Sequence, residues 1–357
     1  MNRRFELPRR RCQLTSPRAL RGDEDRWTAV ELERASIDDL LIGLYDALLQ
    51  NGERNEGGTR GSNIELLGVT LRLTNPRARI SRSEDRGKPF SAIGELLWYL
   101  ARSDRLDFIQ PYIGRYRHDA VDGILPGAYG PRLFGMHGRY DQVANVTSLL
   151  SGSAGSRRAV IQLFDAADIE ERKTEIPCTT TLQFHARGEL LHMSVSMRSN
   201  DAYFGLPHDV FCFTMLQEMM ARRLGLELGH YIHHAGSMHV YDDYAHRLKD
   251  YLDEGYQRPF EMGRMPDGDP FDLVPALLDA EARIRAGNPV VAGDLVDTDY
   301  WADFIRLVQV FWTSRRNEPL DDLQKAFVDP NYRIYLEGRR HMKEEPASML
   351  TGTKVEG

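Results

Sequence analysis

The pattern of this 357-residue chain predicts an α+β fold, a mixed β-sheet covered by helices. Helical apolar spacing recurs in segments along the whole length. Strand-like runs cluster between residues 157 and 199, and a Gly-containing turn joins two of them. No internal repeat or low-complexity tract suggests an array or a linker instead.

Taken in order, residues 1–35 are rich in Arg, Pro and Asp with weak periodicity, and are expected to form an N-terminal extension. "SIDDLLIGLYDALLQNG" then has Ser36 as N-cap, Asp39 three residues on and Gly52 at its end, the punctuation of a helix. A polar, Gly-rich loop leads to "IELLGVTLRL", a strand. "PFSAIGELLWYLARS" is apolar nearly all round and predicts a buried helix. "RRAVIQLFD", "TTTLQFHA" and "ELLHMSVSMRS" predict strands, the last two paired through a hairpin at Arg187-Gly188. "DVFCFTMLQEMMARRLGL" predicts a long buried helix starting at Asp209. From Leu252 the pattern is irregular: a loop at "RMPDGDPFD", helices at "LVPALLDAEARIRAG" and "WADFIRLVQVFWTSRR", and a polar tail. The expected organisation is an extension (1–35), a catalytic domain (36–250) and a divergent helical part (251–357) packed on that same domain.

Composition narrows the function. A formal charge of −7, with Lys+Arg 46 and most of those arginine, implies no duplex-binding surface and no stable nucleic-acid partner. No apolar run is long enough to span a bilayer and no basic-then-apolar leader opens the chain, so no membrane association is expected. Cys12, Cys178 and Cys212 have neither paired spacing nor a zinc-type histidine pattern. That argues against disulfides and metal sites, and fits a reducing, cytoplasmic setting.

Several residues have the chemistry of a site. Cys178 stands where a loop turns into a strand; a lone cysteine is ordinarily a small buried hydrophobe. Arg157, Arg158 and Arg198 at neighbouring strand ends would bind an anion and favour the thiolate if they converge there. Glu95 lies on a helix with little polar face, and burial would raise its pKa and suit it to proton transfer or to holding a water. His239 and Tyr241 in "GSMHVYDDYAH" alternate, so a strand points both to one side.

The blocks "GELLWYL", "SRRAVIQLFD", "EIPCTTTLQF", "MRSNDAYFGLPHDVF" and "GSMHVYDDYAH" follow in an order and spacing that resembles the thymidylate synthase superfamily over Ile37 to His246. The resemblance implies 5,10-methylenetetrahydrofolate as the one-carbon donor and an obligate homodimer, its sheets packed face to face and its active sites shared. It implies Cys178 as the nucleophile that adds to C6 of a pyrimidine nucleotide, with Arg198 and Ser199 as phosphate ligands. Arg157 and Arg158 would reach that phosphate from the other subunit. His239 and Tyr241 would hold the sugar 3′-hydroxyl, Glu95 would organise water, Tyr129 belongs to the family's Tyr-Gly motif, and Asp201 would bind the pterin. A low-pKa thiolate is expected, balanced by these arginines.

Departures sharpen the expectation. Thr179 follows the cysteine where the family usually has histidine. The N-terminal phosphate arginine would align at Gly58, which leaves Arg60 as a candidate substitute. The family's C-terminal closing segment has no counterpart after Leu252. At "FGLPHDVF", His208 precedes Asp209 where enzymes acting on dUMP carry asparagine. Uracil presents an acceptor at O4 and a donor at N3, whereas cytosine inverts both, and a carboxyl group can match cytosine where an amide matches uracil. An aspartate here resembles the dCMP and CMP hydroxymethylases, whose reaction ends with water adding to the one-carbon unit. The arginine-rich, lysine-poor background resembles actinomycete proteins, where CMP hydroxymethylases serve nucleoside-antibiotic pathways such as that of mildiomycin. The phage-type enzymes act on dCMP. Other readings are a thymidylate synthase or dUMP hydroxymethylase, a Cys/His hydrolase, and a non-catalytic nucleotide- or RNA-binding relative of the fold.

Overall fold

The computed structural model describes residues 30–58, 60–83, 89–170 and 175–337. Residues 1–29 of the expected extension, Cys12 among them, and the end of the polar tail from 338 lie outside the described residues.

A mixed sheet forms the centre. Its strands are β1 (Glu31–Arg34), β2 (Glu53–Asn55), β3 (Asn63–Leu73), β4 (Val160–Gln162), β5 (Thr179–Arg187), β6 (Leu190–Met197), β7 (Asn200–Asp201) and β8 (Glu227–Tyr241). The order is β1-β3-β8-β6-β5-β4, with β2 added to β3 and β7 to β8. β1 and β3, β6 and β8, and β7 and β8 run parallel; the other neighbours are antiparallel. The sheet therefore begins five residues before the boundary expected at residue 36: Glu31–Arg34 form its edge, a short strand that composition had hidden.

The central strands alternate over most of their length. Val69, Leu71, Leu182, Phe184, Met193, Val195 and Tyr231 face the core. The opposite face, with Thr70, Arg72, Gln183, Ser194, Ser196, Ile232 and His234, stays half-buried or exposed. One side of the sheet is thus covered and the other is left open by this chain.

The helices on the covered side are α1 (Ile37–Asn51), α2 (Phe90–Leu100), α3 (Leu106–Ile109), α4 (Tyr129–Gly135), α5 (Gln142–Gly152), α6 (Gly205–Arg223), α7 (Asp242–Asp253), α8 (Val274–Arg285) and α9 (Asp299–Arg315). In α1, the Ser36 hydroxyl accepts from the Asp39 N–H at 3.2 Å and donates to its carboxylate at 2.7 Å, a cap that contributes about 1 kcal/mol. Gly52 ends that helix in extended backbone, and it is glycine for room: a Cβ would overlap the Ile64 side chain and the Leu48 carbonyl. α2 is buried on nearly every side, as its apolar sequence predicts, because α6, α8 and α9 pack around it.

Two elements differ from the expected boundaries. β4 shrinks to three residues at the sheet edge. α6 starts at Gly205 rather than Asp209, so Gly-Leu-Pro is its first turn, where the missing N–H of Pro207 costs nothing. Among the described residues no helix is long and apolar enough to cross a membrane.

Candidate active site

A cavity of about 710 Å³ opens where the C-terminal ends of β6 and β8, the start of β5, the second half of α2 and the first turns of α6 meet. Cys178 lies on its wall at the entry to β5. The backbone N–H of Arg198 donates to the Cys178 carbonyl at 2.8 Å, so the hairpin register sets the two side by side. The Arg198 guanidinium donates to the carbonyls of Pro177 and Ile176 at 3.0 and 2.8 Å, and its Nη2 lies 3.7 Å from the thiol sulfur.

The thiol does not become the low-pKa group expected from the sequence. Burial pushes it above the ordinary cysteine value; Arg198 and Arg60 draw it down, but the carboxyls of Asp209 and Glu175 push it up again. Arg157 and Arg158 are not there to help. They sit exposed just ahead of the edge strand β4, and neither lines this chain's cavity. Arg60 does line it, paired with Asp119.

Glu95 projects from α2, buried but on the cavity wall. Its Oε1 accepts from the Tyr116 hydroxyl at 2.6 Å and from the Tyr99 hydroxyl at 3.2 Å. Burial raises its pKa more than these two bonds lower it. Beyond Tyr99, the ring of Tyr129 follows at 5.3 Å between centroids. Thr179 occupies the other side: its N–H and hydroxyl both donate to the Tyr129 oxygen, at 3.1 and 3.0 Å. Thr179 is fully buried, and its hydroxyl is committed to that tyrosine.

After Met197 the chain crosses to β8 through Ser199 and β7. That crossing needs close backbone approach, and a Cβ on Gly236 would lie 3.0 Å from the Arg198 carbonyl oxygen. β7 pairs Asn200 with Met238 and Asp201 with His239. Ser199 Oγ comes within 3.4 Å of His239 Nδ1, and burial pulls that histidine below its ordinary pKa. His239 and Tyr241 both line the cavity, from the C-terminal end of β8.

Asp201 Oδ1 accepts from the N–H groups of Tyr203 and Phe204 at 2.8 and 2.9 Å. Its Oδ2 is buried without a hydrogen-bond partner, 3.8 Å from Arg115, whose guanidinium covers the Phe204 ring.

Asp209 lines the cavity from the second turn of α6, beyond the reach of the helix N-terminus, which removes the dipole as a reason for its presence. Its Oδ2 accepts from Asn200 Nδ2 at 2.8 Å. Burial, reinforced by Glu95 and Asp201, holds its pKa well above the carboxylate range despite that bond. His208 beside it donates from Nδ1 to the Phe204 carbonyl at 2.9 Å, and its Nε2 is hydrogen-bonded with the Ser91 hydroxyl at 2.8 Å. This ties α6 to α2.

Sequence reasoning missed some of the lining. Glu175, three residues before Cys178, has its pKa pushed up to about 7 by burial and by Asp119. Tyr116, Trp98 and Arg115 also line the cavity. Glu175 and Asn200 stood inside quoted motifs without a signal of their own. Tyr116 and Arg115 come from a short 3₁₀ turn that carries no periodicity. No described residue after Tyr241 lines the cavity.

Comparison with known proteins bears on this arrangement. A curated thymidylate synthase from Corynebacterium aurimucosum is 26% identical over 223 residues, which span 60% of this chain and 81% of that protein. The family model described as thymidylate synthase matches residues 42–265, which include every described cavity residue from Arg60 to Tyr241. With well over half of its length so matched, the chain belongs to the thymidylate synthase family, transferases of one-carbon groups whose donor is 5,10-methylenetetrahydrofolate.

Proposed function

We propose that this protein is a pyrimidine-nucleotide 5-hydroxymethylase acting on CMP, or on dCMP. The observation behind this reading is the buried carboxyl of Asp209 on the cavity wall, where burial favours its protonated form. A neutral carboxylic acid offers one O–H donor and one carbonyl acceptor, which match N3 and the exocyclic amine of cytosine. Uracil would set donor against donor and acceptor against acceptor, at roughly 1–3 kcal/mol for each buried group left unpaired.

In this reading Cys178 adds to C6 of the base, with Arg198 stabilising the thiolate as it forms. Arg198 and Ser199 take the phosphate, and Arg157 and Arg158 of a second copy supply the charge that one chain lacks. His239 and Tyr241 hold the sugar hydroxyl. The unpartnered Oδ2 of Asp201 and the apolar flank of Trp98 and Phe204 suit an N–H-bearing pterin ring. When bound, the folate supplies a one-carbon unit at the oxidation level of formaldehyde. Glu95, held by the Tyr116 and Tyr99 hydroxyls and with its pKa raised by burial, is placed to order the water that ends up in the product. Overall, the C5 hydrogen is exchanged for CH2OH, water provides the oxygen, and tetrahydrofolate leaves without oxidation.

A second reading, a thymidylate synthase, is favoured by the name of the corynebacterial relative. Incubation with CMP, dCMP, UMP or dUMP and methylenetetrahydrofolate, with product mass and dihydrofolate absorbance as readouts, separates the two. Hydroxymethylated cytidylate without dihydrofolate is expected; methylated uridylate with dihydrofolate would overturn the proposal, and nucleotide binding without turnover would leave a binding protein. Asp209→Asn should lower kcat/KM for the cytosine nucleotide by about a hundredfold and raise that for uracil.

A further inference from the structure

Asp209 is the visible end of a buried chain of polar groups. From Asp209 Oδ2 the contacts run to Asn200 Nδ2 at 2.8 Å, from Asn200 Oδ1 to His233 Nε2 at 2.9 Å, and from His233 Nδ1 to the Tyr231 hydroxyl at 2.8 Å. Asn200, His233 and Tyr231 are 3%, 0% and 1% exposed, so the chain lies out of bulk solvent. Tyr231 and His233 alternate on β8 and point under α6, and β7 brings Asn200 against them by pairing with the same strand.

We infer that Tyr231, His233 and Asn200 are positioning residues that commit Asp209 to one arrangement of proton and lone pair, and thereby set which base edge the site accepts. The direction of the chain follows from its far end. The Tyr231 hydroxyl has His233 as its one hydrogen-bond partner among the described residues, so its proton must go to Nδ1 or be stranded in the core. Burial pulls the His233 pKa down to about 3, so the ring is neutral and holds a single proton. With Nδ1 accepting, that proton sits on Nε2 and donates to Asn200 Oδ1. The amide is then fixed with its NH2 toward Asp209, whose Oδ2 accepts.

Because the carbonyl oxygen of a carboxylic acid is a better acceptor than its hydroxyl oxygen, the Asn200 amide on Oδ2 biases a neutral Asp209 to carry its proton on Oδ1. In the pose required by the hydroxymethylase reading, on which this step rests, Oδ1–H donates to cytosine N3 and the second lone pair of Oδ2 accepts from the exocyclic amine. Uracil would need the proton on Oδ2, which would leave the Asn200 amide donating to the poorer, hydroxyl acceptor. Reversing the amide to admit it would put a proton on Nδ1 against the Tyr231 hydroxyl, whose own proton would have no acceptor. The core thus rejects one base through a side chain that does not touch it.

Tyr231→Phe removes one oxygen and frees the chain to reverse; Asn200→Ala removes the contact with Asp209. Affinities for CMP, UMP and ribose 5-phosphate, measured by calorimetry without folate, give the test, with thermal unfolding to verify the fold. The expected result is a fall of about tenfold in the CMP/UMP affinity ratio for each variant, with the ribose 5-phosphate affinity held. An unchanged ratio in folded Tyr231→Phe would overturn the inference, as would an equal loss for all three ligands, the mark of general damage. A wild-type preference for UMP would sink the hydroxymethylase reading, yet a collapse of that preference in Tyr231→Phe would still uphold the lock.

Discussion

A carboxyl buried as Asp209 is leaves its mark on stability as well as on base choice. Its folded pKa lies above its unfolded one. Below the unfolded value, roughly 3.9, both states are protonated and nothing is lost. As pH rises toward the folded value, the unfolded chain releases its proton while the native state keeps it, so stability falls through that window and then levels. Asp209→Asn escapes this, since an amide can still pair with Asn200. Urea unfolding should find the variant equal to wild type near pH 3.5 and more stable at pH 7, by roughly 1.4 kcal/mol per unit by which the folded pKa is raised. Equal stability at both pH values would mean that Asp209 is ionised in the native state. At this scale the sequence was legible where one residue type has one use: Cys178, Glu95, Asp209 and the His239/Tyr241 pair all line the cavity. It was silent on Tyr231 and His233, because an aromatic and a histidine two apart in a strand read as ordinary core until β7 sets Asn200 against them.

Secondary elements were legible where local signals and packing agree. α1 has its cap and stop, and α2 its continuous apolar surface. β8 was less so: "HYIHHAGSMH" has few β-branched residues, and it is a strand because β3 and β6 flank it on both sides. The start of α6 was misplaced because Gly-Leu-Pro reads equally as a turn and as a first helical turn. Gly236 shows what such an element does for the site. A Cβ there would press on the Arg198 carbonyl, which is backbone and cannot rotate away. Gly236→Ala should therefore push Ser199 and β7 off β8 and raise the nucleotide KM by about tenfold, more than it lowers kcat. Initial-rate kinetics would show it; an unchanged KM would mean that the crossing has slack.

For the molecule as a whole, the open face of the sheet and the exposed Arg157 and Arg158 support a dimer in which each chain completes its neighbour's site. Protomers carrying Arg158→Ala mixed with protomers carrying Cys178→Ala should recover up to about a quarter of wild-type activity, since a hybrid dimer would hold one intact site. Tagged hybrids with no recovery would mean that each chain builds its site alone. The last third of the chain has a different relation to the chemistry. Among the described residues none beyond Tyr241 reaches the cavity, yet α8 and α9 press on α2, the helix that holds Glu95 and Trp98. The text that names the reaction and the text that holds it steady are thus written in separate passages, and drift in the second is invisible to the nucleotide as long as α2 keeps its seat. The match to the family model ends at residue 265, before α8 and α9 begin.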